Sequence, residues 1–386
     1  MNRAPFSFYE FFAGGGMARL GLGEAWACAF ANDFDPAKAA TYRSNFPDAG
    51  AHFQEGDVWK LDAADLPGVA HLAWASSPCQ DFSLAGARAG LAGGRSSAFF
   101  GFWRLIEGLN AERRAPRTIV IENVSGLLTS HGGADFAAVG EALVAQGYRF
   151  GALEIDAAAF LPQSRPRVFV IATHEPSPPH LTGASPFHTR AVRTAAEALP
   201  RAVADRWVWW RTGEPPRRNT DLAAILEPDG AVPWHDAART QLWLNLMAPL
   251  HRARIDALKA GGGRAVGAVF RRMRLDQGVR VQRAEARFDG LAGCLRTPRG
   301  GSSRQVILVV EDGAVRTRLL TPREAARLMG LPDSYRLPAA ATTALHVAGD
   351  GVAVPVVRWL AEQILEPLLT DVTAESPPSR AAASSR

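Results

Sequence analysis

The stretch FSFYEFFAGGGM, residues 6–17, places a run of apolar residues directly before three glycines. This pattern predicts a short buried strand over 6–12, a tight turn, and a helix that begins at Met17. Glycines let the backbone approach a ligand closely, and the first N–H groups of a helix can meet a carboxylate. A nucleotide-type site is one interpretation of this turn, and a purely structural turn is the other.

The alternation of strands and helices continues through the first 174 residues. We predict strands at 26–32, 71–76, 118–123 and 168–173, and helices at 17–25, 36–46, 98–110 and 135–146. Such an alternation is typical of an α/β domain with a mainly parallel sheet. The polar residues of interest follow the strand ends, where open α/β sheets bind ligands.

The composition fits a soluble globular protein. Of the 386 residues, 47% are hydrophobic and 21% are charged, and no run of 18 apolar residues suggests a membrane span. The N-terminus lacks a signal-peptide pattern, and the three cysteines (Cys28, Cys79 and Cys294) indicate a reducing compartment rather than a disulfide framework. We therefore expect a cytoplasmic, nucleoid-associated protein with no membrane contact, and no cysteine or histidine spacing suggests a metal site.

Composition also divides the chain. A proline-rich stretch at 175–179 separates the α/β region, 1–175, from an irregular segment, 176–317. A regular pattern of helices returns in a C-terminal segment, 318–370. The tail that follows, 371–386, is expected to be disordered. Residues 175–317 hold 22 Lys and Arg against 14 Asp and Glu, whereas residues 1–174 hold 14 against 17. The basic middle segment is expected of a surface that faces phosphates, although a general preference for surface arginine would also produce it.

Three short motifs carry reactive groups in a fixed order. They are Ser77-Pro78-Cys79-Gln80, Ile121-Glu122-Asn123-Val124 and Gln163-Ser164-Arg165-Pro166-Arg167. A thiolate can add to an electron-poor ring, a carboxyl group can hold a proton on a ring nitrogen, and a cation can stabilise developing charge. The three motifs, in this order, therefore supply a nucleophile, an acid and a cationic group. The alternative for a lone cysteine is a small buried hydrophobic residue, which is the more common case.

Together, the glycine-rich turn and these motifs resemble the bacterial DNA (cytosine-5) methyltransferase family of restriction–modification type. The resemblance runs from about Phe8 to Leu369 and is interrupted by one variable segment. It implies a Rossmann-like fold that binds S-adenosylmethionine and methylates carbon 5 of a cytosine flipped out of a specific double-stranded DNA sequence. It also implies a covalent adduct with Cys79, and the residues implied to be catalytic are Cys79, Glu122, Arg165 and Arg167.

The resemblance also assigns binding residues. Those implied for S-adenosylmethionine are Phe12, Ala13, Gly14, Gly16, Asp33, Phe34, Asp57, Val58 and Pro78. Those implied for DNA are Gln80, Ser83, Arg95, Asn123, Gln163, Arg296, Arg299 and Arg304. The dinucleotide spacing G-x-G-x-x-G is absent because Arg19 stands at its third position. The segment 81–95, with four glycines, is expected to close over DNA as a lid, with surface disorder as the alternative.

The variable segment, 176–317, takes the place of the family's smaller target-recognition domain. Two departures from the family pattern lie near the C-terminus, where G-N-[AS]-V is usual and Gly349-Asp350-Gly351-Val352 is found. Asp350 brings a negative charge toward the cofactor side, and Gly351 lacks a side chain. A third departure is Cys294-Leu295, where the family often has Thr-Leu.

Other functions remain as alternatives. A tRNA cytosine-5 methyltransferase shares the catalytic motifs, a catalytically silent DNA-binding protein would keep the cofactor site, and a nicotinamide-dependent reductase would use the glycine turn differently. We expect a monomer whose partners are double-stranded DNA and, in a restriction–modification or phage-defence setting, a cognate endonuclease or defence-system proteins.

Overall fold

A seven-stranded sheet forms the centre of the larger part of the protein. The computed structural model describes residues 5–77, 98–276, 278–296 and 304–375. The strands are β1 Phe6–Phe11, β2 Trp26–Asp33, β3 Phe53–Glu55, β4 Leu72–Ala75, β5 Thr118–Val124, β6 Arg149–Asp156 and β7 Pro166–Thr173. Their order is β3-β2-β1-β4-β5-β7-β6, in which β7 alone runs antiparallel to its neighbours. This arrangement confirms the predicted α/β fold with a mainly parallel sheet.

Four helices connect these strands close to their predicted positions. They are α1 Met17–Leu22, α2 Pro36–Asn45, α3 Ala98–Ala111 and α4 Ala134–Ala145. The first helix ends earlier than predicted because Gly23 takes a left-handed backbone angle, φ 79°, that stops it. The second helix begins where predicted, because the Asp35 carboxylate accepts hydrogen bonds from the N–H groups of Ala37 and Lys38.

Strand β6 was absent from the sequence prediction. Its central Gly151 weakens the strand pattern, but the fold requires glycine there because a Cβ atom would lie 1.9 Å from the Val208 carbonyl oxygen. The neighbouring Trp210 is fully buried, and its indole N–H donates to the Ile171 carbonyl at 3.0 Å. Strand β3 was also missed, because its three residues FQE carry little apolar pattern.

A separate antiparallel sheet forms a second core. Its strands are β8 Arg264–Asp276, β9 Val279–Arg287, β10 Val306–Glu311 and β11 Ala314–Leu319, in the order β11-β10-β8-β9. Helices α7 Ala237–Asn245 and α8 Pro249–Gly261 contribute Trp243 and Ile255 to the same core, and Met247 from the turn between them belongs to it as well. The sheet is smaller than the first, as expected of a second domain.

The segment between the two sheets packs mainly against the larger one. It includes helices α5 Arg190–Glu197 and α6 Arg201–Ala204, and its residues Leu181, Phe187, Leu222 and Ile225 belong to the large core. The packing boundary of the smaller core therefore lies near α7, about 60 residues after the predicted division at 175. The functional division at 175 and 317 remains a prediction.

The chain then returns to the large sheet. It forms α9 Pro322–Leu328, α10 Ala341–Asp350, α11 Val354–Leu360, a π-helical turn at Ala361–Leu365, and α12 Glu366–Glu375. The predicted tail began at 371, but α12 continues through Glu375, since no glycine or proline interrupts 368–375. Residues 376–386 lie outside the described part. Within the described part, no helix is long and apolar enough to cross a bilayer.

Candidate active site

The glycine-rich turn after β1 has a backbone that is left-handed at several positions. Phe12, Gly14 and Gly16 have φ angles of 58°, 57° and 79°. At Gly16, a Cβ atom would lie 2.2 Å from the Phe46 ring, whereas at Gly14 it would meet nothing within 4 Å. The turn therefore packs tightly on one side and leaves open space on the other, next to the end of β2.

Asp33, the last residue of β2, holds this turn. Its Oδ2 atom accepts the Gly14 N–H at 2.8 Å, and its Oδ1 atom accepts the Asp35 N–H at 2.9 Å. Burial raises the pKa of Asp33, although Lys38 and the two N–H donors act in the opposite direction. A carboxylate has about four acceptor positions, so Asp33 keeps acceptor capacity for a ligand hydroxyl group.

The next two predicted cofactor residues are exposed at the same sheet edge. Phe34 is 67% exposed, which is unusual for a large aromatic side chain beside a buried strand. Asp57 is exposed and caps a short turn by accepting the Trp59 N–H at 3.0 Å, whereas Val58 and Ala13 are buried. An exposed ring and an exposed carboxylate here could stack on a planar base and accept from its amino group.

Sequence reasoning missed Asn32, which fixes these groups relative to one another. Its side-chain amide donates to the carbonyls of Gln54 at 2.9 Å and Gly56 at 3.0 Å, so it joins the end of β2 to the Gly56–Asp57 turn. The only signal was a buried amide residue directly before Asp33.

Glu122 and Arg167 face each other at the same edge of the sheet. The Arg167 Nε atom lies 3.2 Å from Glu122 Oε1, and both side chains are largely buried. Glu122 lies near the end of β5 and Arg167 near the start of β7; because these strands are antiparallel, both residues lie at one edge. The structure thus brings together the predicted carboxyl group and one predicted arginine.

Asn123 connects this pair to the motif that contains the cysteine. Its side-chain amide donates to the Ser77 carbonyl at 3.1 Å and to Ser77 Oγ at 3.2 Å, within the protein interior. Ser77, two residues after the end of β4, is therefore held beside the end of β5 that carries Glu122. Six predicted site residues lie outside the described residues, namely Pro78, Cys79, Gln80, Ser83, Arg95 and Arg299.

Arg165 is almost completely buried and joins three segments. Its guanidinium donates to the carbonyls of Leu295 at 2.9 Å, Gly349 at 2.9 Å and Gly351 at 2.7 Å. Burial, together with the nearby Arg167, lowers the pKa of Arg165 to about 10. These contacts use the guanidinium inside the protein, so Arg165 can act on the reaction only by positioning other residues, in contrast to its prediction as a catalytic residue.

Gln163 was predicted to contact DNA, but the structure places it in the interior. Its side chain is 0% exposed, its Nε2 atom donates to the Leu328 carbonyl at 2.7 Å, and its Oε1 atom accepts the Leu295 N–H at 2.9 Å. No part of the side chain is left to meet DNA. Gln163 instead attaches the start of the 295–304 segment to α9.

The two ends of that segment are held together at their base. The Gln305 side chain accepts the Gly293 N–H at 2.9 Å and donates to the Gly293 carbonyl at 2.6 Å. Arg296 is exposed just beyond this base, and Arg304 is partly exposed on its other side. The predicted recognition stretch therefore begins and ends next to the segment bound by Gln163 and Arg165.

Comparison with known proteins identifies the family. The model of the C-5 cytosine-specific DNA methylase family matches residues 6–366. The chain belongs to this family. It is therefore a DNA (cytosine-5) methyltransferase, as the motifs predicted, and its substrate is DNA.

Two bacterial methylases show how far this likeness extends. The Type II methyltransferase M.NlaX of Neisseria lactamica is 27% identical over 365 residues, covering 93% of this chain and 96% of the relative. M.HhaI of Haemophilus parahaemolyticus, also a Type II methyltransferase, is 25% identical over 364 residues, covering 92% and 93%. The likeness therefore spans both sheets.

Solved structures of methylases share the fold. The Dnmt2 methyltransferase of S. pombe superposes with a TM-score of 0.58 at 17% identity, over 94% of this chain and 99% of that one. The Entamoeba histolytica methyltransferase EhMeth gives 0.60 at 13% identity, over 95% and 98%. At these identities the comparison concerns the fold alone.

This methylase also contains a buried ion pair that sequence reasoning missed. Arg318 and Glu324 are both 0% exposed, and their side chains form hydrogen bonds of 2.6 and 2.8 Å. Glu324 also completes the predicted capping box with Thr321 at the start of α9. The pair fixes the end of β11 to α9, where the chain leaves the smaller sheet. The capping-box pattern identified Glu324, but nothing in the sequence identified its partner.

Proposed function

We propose that this methylase transfers a methyl group from S-adenosylmethionine to carbon 5 of a flipped-out cytosine in a specific double-stranded DNA sequence, through a covalent adduct with Cys79. The observation that carries the proposal is the bond from Asn123 to Ser77 beside the Glu122–Arg167 pair. This bond holds Ser77 next to a carboxyl group and a cation, and Cys79 follows Ser77 by two residues in the sequence. These are the three groups that the chemistry needs.

Each group has a defined task in the proposed reaction. The Cys79 thiolate forms a bond from sulfur to carbon 6 of the cytosine, and the ring electrons move toward carbon 5. Glu122 holds a proton at ring N3, which neutralises the developing charge, and Arg167 stabilises charge at O2. Once carbon 5 carries the methyl group, its proton is lost to solvent water and the C–H electron pair re-forms the double bond between carbons 5 and 6, while the bond from carbon 6 to sulfur breaks with its electron pair returning to Cys79.

The residues around the glycine-rich turn fit the proposed cofactor. Asp33 offers an acceptor for ribose hydroxyl groups, the exposed Phe34 ring a stacking surface for adenine, and Asp57 an acceptor for the adenine amino group. The open space at Gly14 lets the backbone approach the ligand. S-Adenosylmethionine, when bound, would supply an electrophilic methyl group for carbon 5 and would be left as the neutral thioether, S-adenosylhomocysteine.

We further propose that residues 176–317 select the DNA sequence and that the enzyme marks DNA within a restriction–modification system. The Type II relatives support the biological setting, and the anchored 295–304 segment supports the location of sequence choice. A cognate endonuclease as partner and a monomeric enzyme are part of this proposal. The family and these relatives favour DNA over the tRNA alternative.

The test combines trapping with sequencing. On DNA that contains 5-fluorocytosine, the wild type should form an adduct that survives denaturation, because the fluorine cannot leave as a proton does. Cys79→Ser should form none, and Cys28→Ser is the matched control that should retain the adduct. Bisulfite sequencing of DNA from expressing cells should show one methylated sequence. Adduct formation by Cys79→Ser, or methylation of tRNA alone, would overturn the proposal.

A further inference from the structure

Arg19 lies on α1, directly after the glycine-rich turn, and its long side chain is only 16% exposed. In dinucleotide-binding turns a glycine takes this place, because close packing of the helix on the strand leaves no room for a side chain. Here the backbone N–H of Arg19 donates to the buried carboxylate of Glu10 at 3.3 Å, and the side chain turns toward α2. Arg19 therefore has a structural use that the dinucleotide pattern does not explain.

The guanidinium of Arg19 has polar partners on both of its terminal nitrogens. Its Nη2 atom donates to the two carboxylate oxygens of Asp48 at 2.8 and 2.7 Å. Its Nη1 atom donates to the Tyr42 hydroxyl at 3.3 Å and lies 2.9 Å from His52 Nε2. Since a guanidinium can only donate, this imidazole nitrogen must accept, and burial lowers the pKa of His52 in favour of that neutral form. Arg19 thus joins the start of α1 to residues 46–52, the segment between α2 and β3.

The same guanidinium covers the ring of Phe46, which packs against the glycine-rich turn. The Arg19 Cζ atom lies 4.2 Å from the centroid of that buried ring. At Gly16 a Cβ atom would lie 2.2 Å from the Phe46 ring and 3.0 Å from the Tyr42 ring. The Gly16 N–H closes the turn by donating to the Ala13 carbonyl at 2.8 Å. Because the ring and the backbone are in such close contact, the place of the ring determines the place of the turn.

The segment that holds Arg19 also leads to the other side of the proposed cofactor site. The His52 carbonyl accepts the Ala31 N–H at 2.9 Å, which fixes the end of the 46–52 segment to β2. Strand β3 follows at once, and after it comes Asp57, the proposed acceptor for the adenine amino group. Arg19 therefore connects two parts of the chain that the cofactor would contact together.

We propose that Arg19 is a positioning residue for the cofactor: it holds the Phe46 ring against Gly16 and so sets the shape of the turn that meets S-adenosylmethionine. It acts through Phe46 and not on the ligand itself. A cation over the ring face and a bidentate carboxylate fix a side chain that would otherwise have many rotamers. The turn is then arranged before the cofactor arrives, which lowers the free-energy cost of binding. The inference rests on the proposed function, because it concerns the same cofactor site.

Two matched variants of the full-length enzyme test this role. Arg19→Met keeps the apolar stem and removes the guanidinium. Arg43→Met is the control, because Arg43 on α2 also forms one ion pair, 2.7 Å from Glu55, and also lies over a ring, 5.1 Å from the centroid of Phe53. Both changes remove the same kinds of contact, but only Arg19 covers the ring that occupies the Cβ space at Gly16. Isothermal titration with S-adenosylmethionine, without DNA, measures the Kd, and urea unfolding checks that each variant is folded.

Arg19→Met should raise the Kd for S-adenosylmethionine at least about tenfold, since hydrogen bonds to charged groups are among the stronger ones. Arg43→Met should bind like the wild type. In methyl-transfer assays the KM for S-adenosylmethionine should rise with the Kd, whereas kcat at saturating cofactor should stay close to the wild-type value, as expected when only binding is lost. A wild-type Kd in Arg19→Met, or an equal loss in Arg43→Met, would overturn the proposal.

Two further variants separate positioning from charge. Arg19→Lys keeps the positive charge but has no planar group to cover the ring, so it should bind as weakly as Arg19→Met. Phe46→Leu removes the ring through which Arg19 acts, so Arg19→Met should add little to its loss of affinity. Full affinity in Arg19→Lys, or strictly additive losses with Phe46→Leu, would refute the positioning role.

The wild-type titration distinguishes this inference from the proposed function. If the wild type binds S-adenosylmethionine and the Arg19 variants bind it equally well, only the role of Arg19 is wrong. If the wild type binds none, the proposed cofactor and the role of Arg19 are both wrong.

Discussion

Lys38 and Asp350 form an ion pair, with 2.9 Å between Nζ and Oδ2, that joins α2 to the end of α10. Asp350 stands where the family pattern usually has asparagine. Burial alone would lower the pKa of Lys38, but Asp350 and Asp33 outweigh it and raise that pKa. The unusual carboxylate is thus neutralised within the protein, and Lys38 connects it electrostatically to the residue that holds the glycine-rich turn.

We predict that the pair contributes about 1 kcal/mol of coupling energy, more than an exposed pair but less than a fully buried one. We test this with a double-mutant cycle of Lys38→Met and Asp350→Asn, measured by urea unfolding. The double variant should lose about 1 kcal/mol less unfolding free energy than the sum of the two single losses. The control is Arg43–Glu55, which is more exposed and should couple by less than about 0.5 kcal/mol. Equal coupling in the two pairs would contradict the prediction.

Glu10 makes the stability of the protein depend on pH. It is 1% exposed on β1, and burial raises its pKa to about 8, with the Arg19 N–H opposing the shift. An unfolded glutamate ionises near 4.5. Since the folded state holds this proton more tightly, the stabilisation is complete below pH 4.5 and is lost as pH rises through about 8.

Glu10→Gln should remove that dependence, because glutamine has no charge at any pH. The unfolding free energy of Glu10→Gln minus that of the wild type should be larger at pH 9 than at pH 5 by roughly 1–3 kcal/mol. Urea unfolding at both pH values measures it, with Glu107→Gln, exposed on α3, as the control. If the wild type and Glu10→Gln lose stability equally between the two pH values, Glu10 is not the group responsible.

Gly351, the second departure from the family pattern, is explained by Met17. A Cβ atom on Gly351 would lie 2.2 Å from the Met17 sulfur, and Gly351 has an ordinary backbone angle of −75°. Gly351→Ala should therefore cost about 1–3 kcal/mol through overpacking alone. Combined with Met17→Ala, it should cost at least about 1 kcal/mol less than the sum of the single changes.

Thermal and urea unfolding of these variants test the contact. Gly50→Ala is the control, since a Cβ atom there would meet nothing within 4 Å. Strict additivity of Gly351→Ala and Met17→Ala would show that Met17 does not determine the glycine.

Sequence patterns predicted the sheet and the motif residues better than the contacts between distant segments. The α/β alternation located five strands because apolar runs and glycine turns are local signals. Gly151 and Gly351 are glycines for a non-local reason, because the Val208 carbonyl oxygen and the Met17 side chain, both far away in sequence, occupy the space of a Cβ atom. Likewise, the motif identified Gln163 but could not show that Leu295 and Leu328 use its amide, since long-range partners leave no periodic pattern.

Two glutamates paired with arginines separate catalysis from stability. Glu122 pairs with Arg167 at the predicted cytosine site, whereas Glu324 pairs with Arg318 at 0% exposure and also accepts the backbone N–H of Glu227 at 2.9 Å. Glu122→Gln keeps the shape but removes the transferable proton, so we expect methylation to fall by roughly 10²-fold or more with little change in unfolding.

Glu324→Gln leaves a buried cation without its counter-charge and should cost about 3–5 kcal/mol of stability. Single-turnover methylation and urea unfolding of both variants measure the separation. Near-normal methylation by a folded Glu122→Gln protein would remove Glu122 from the mechanism, and a fully stable Glu324→Gln protein would refute the structural role of the second pair.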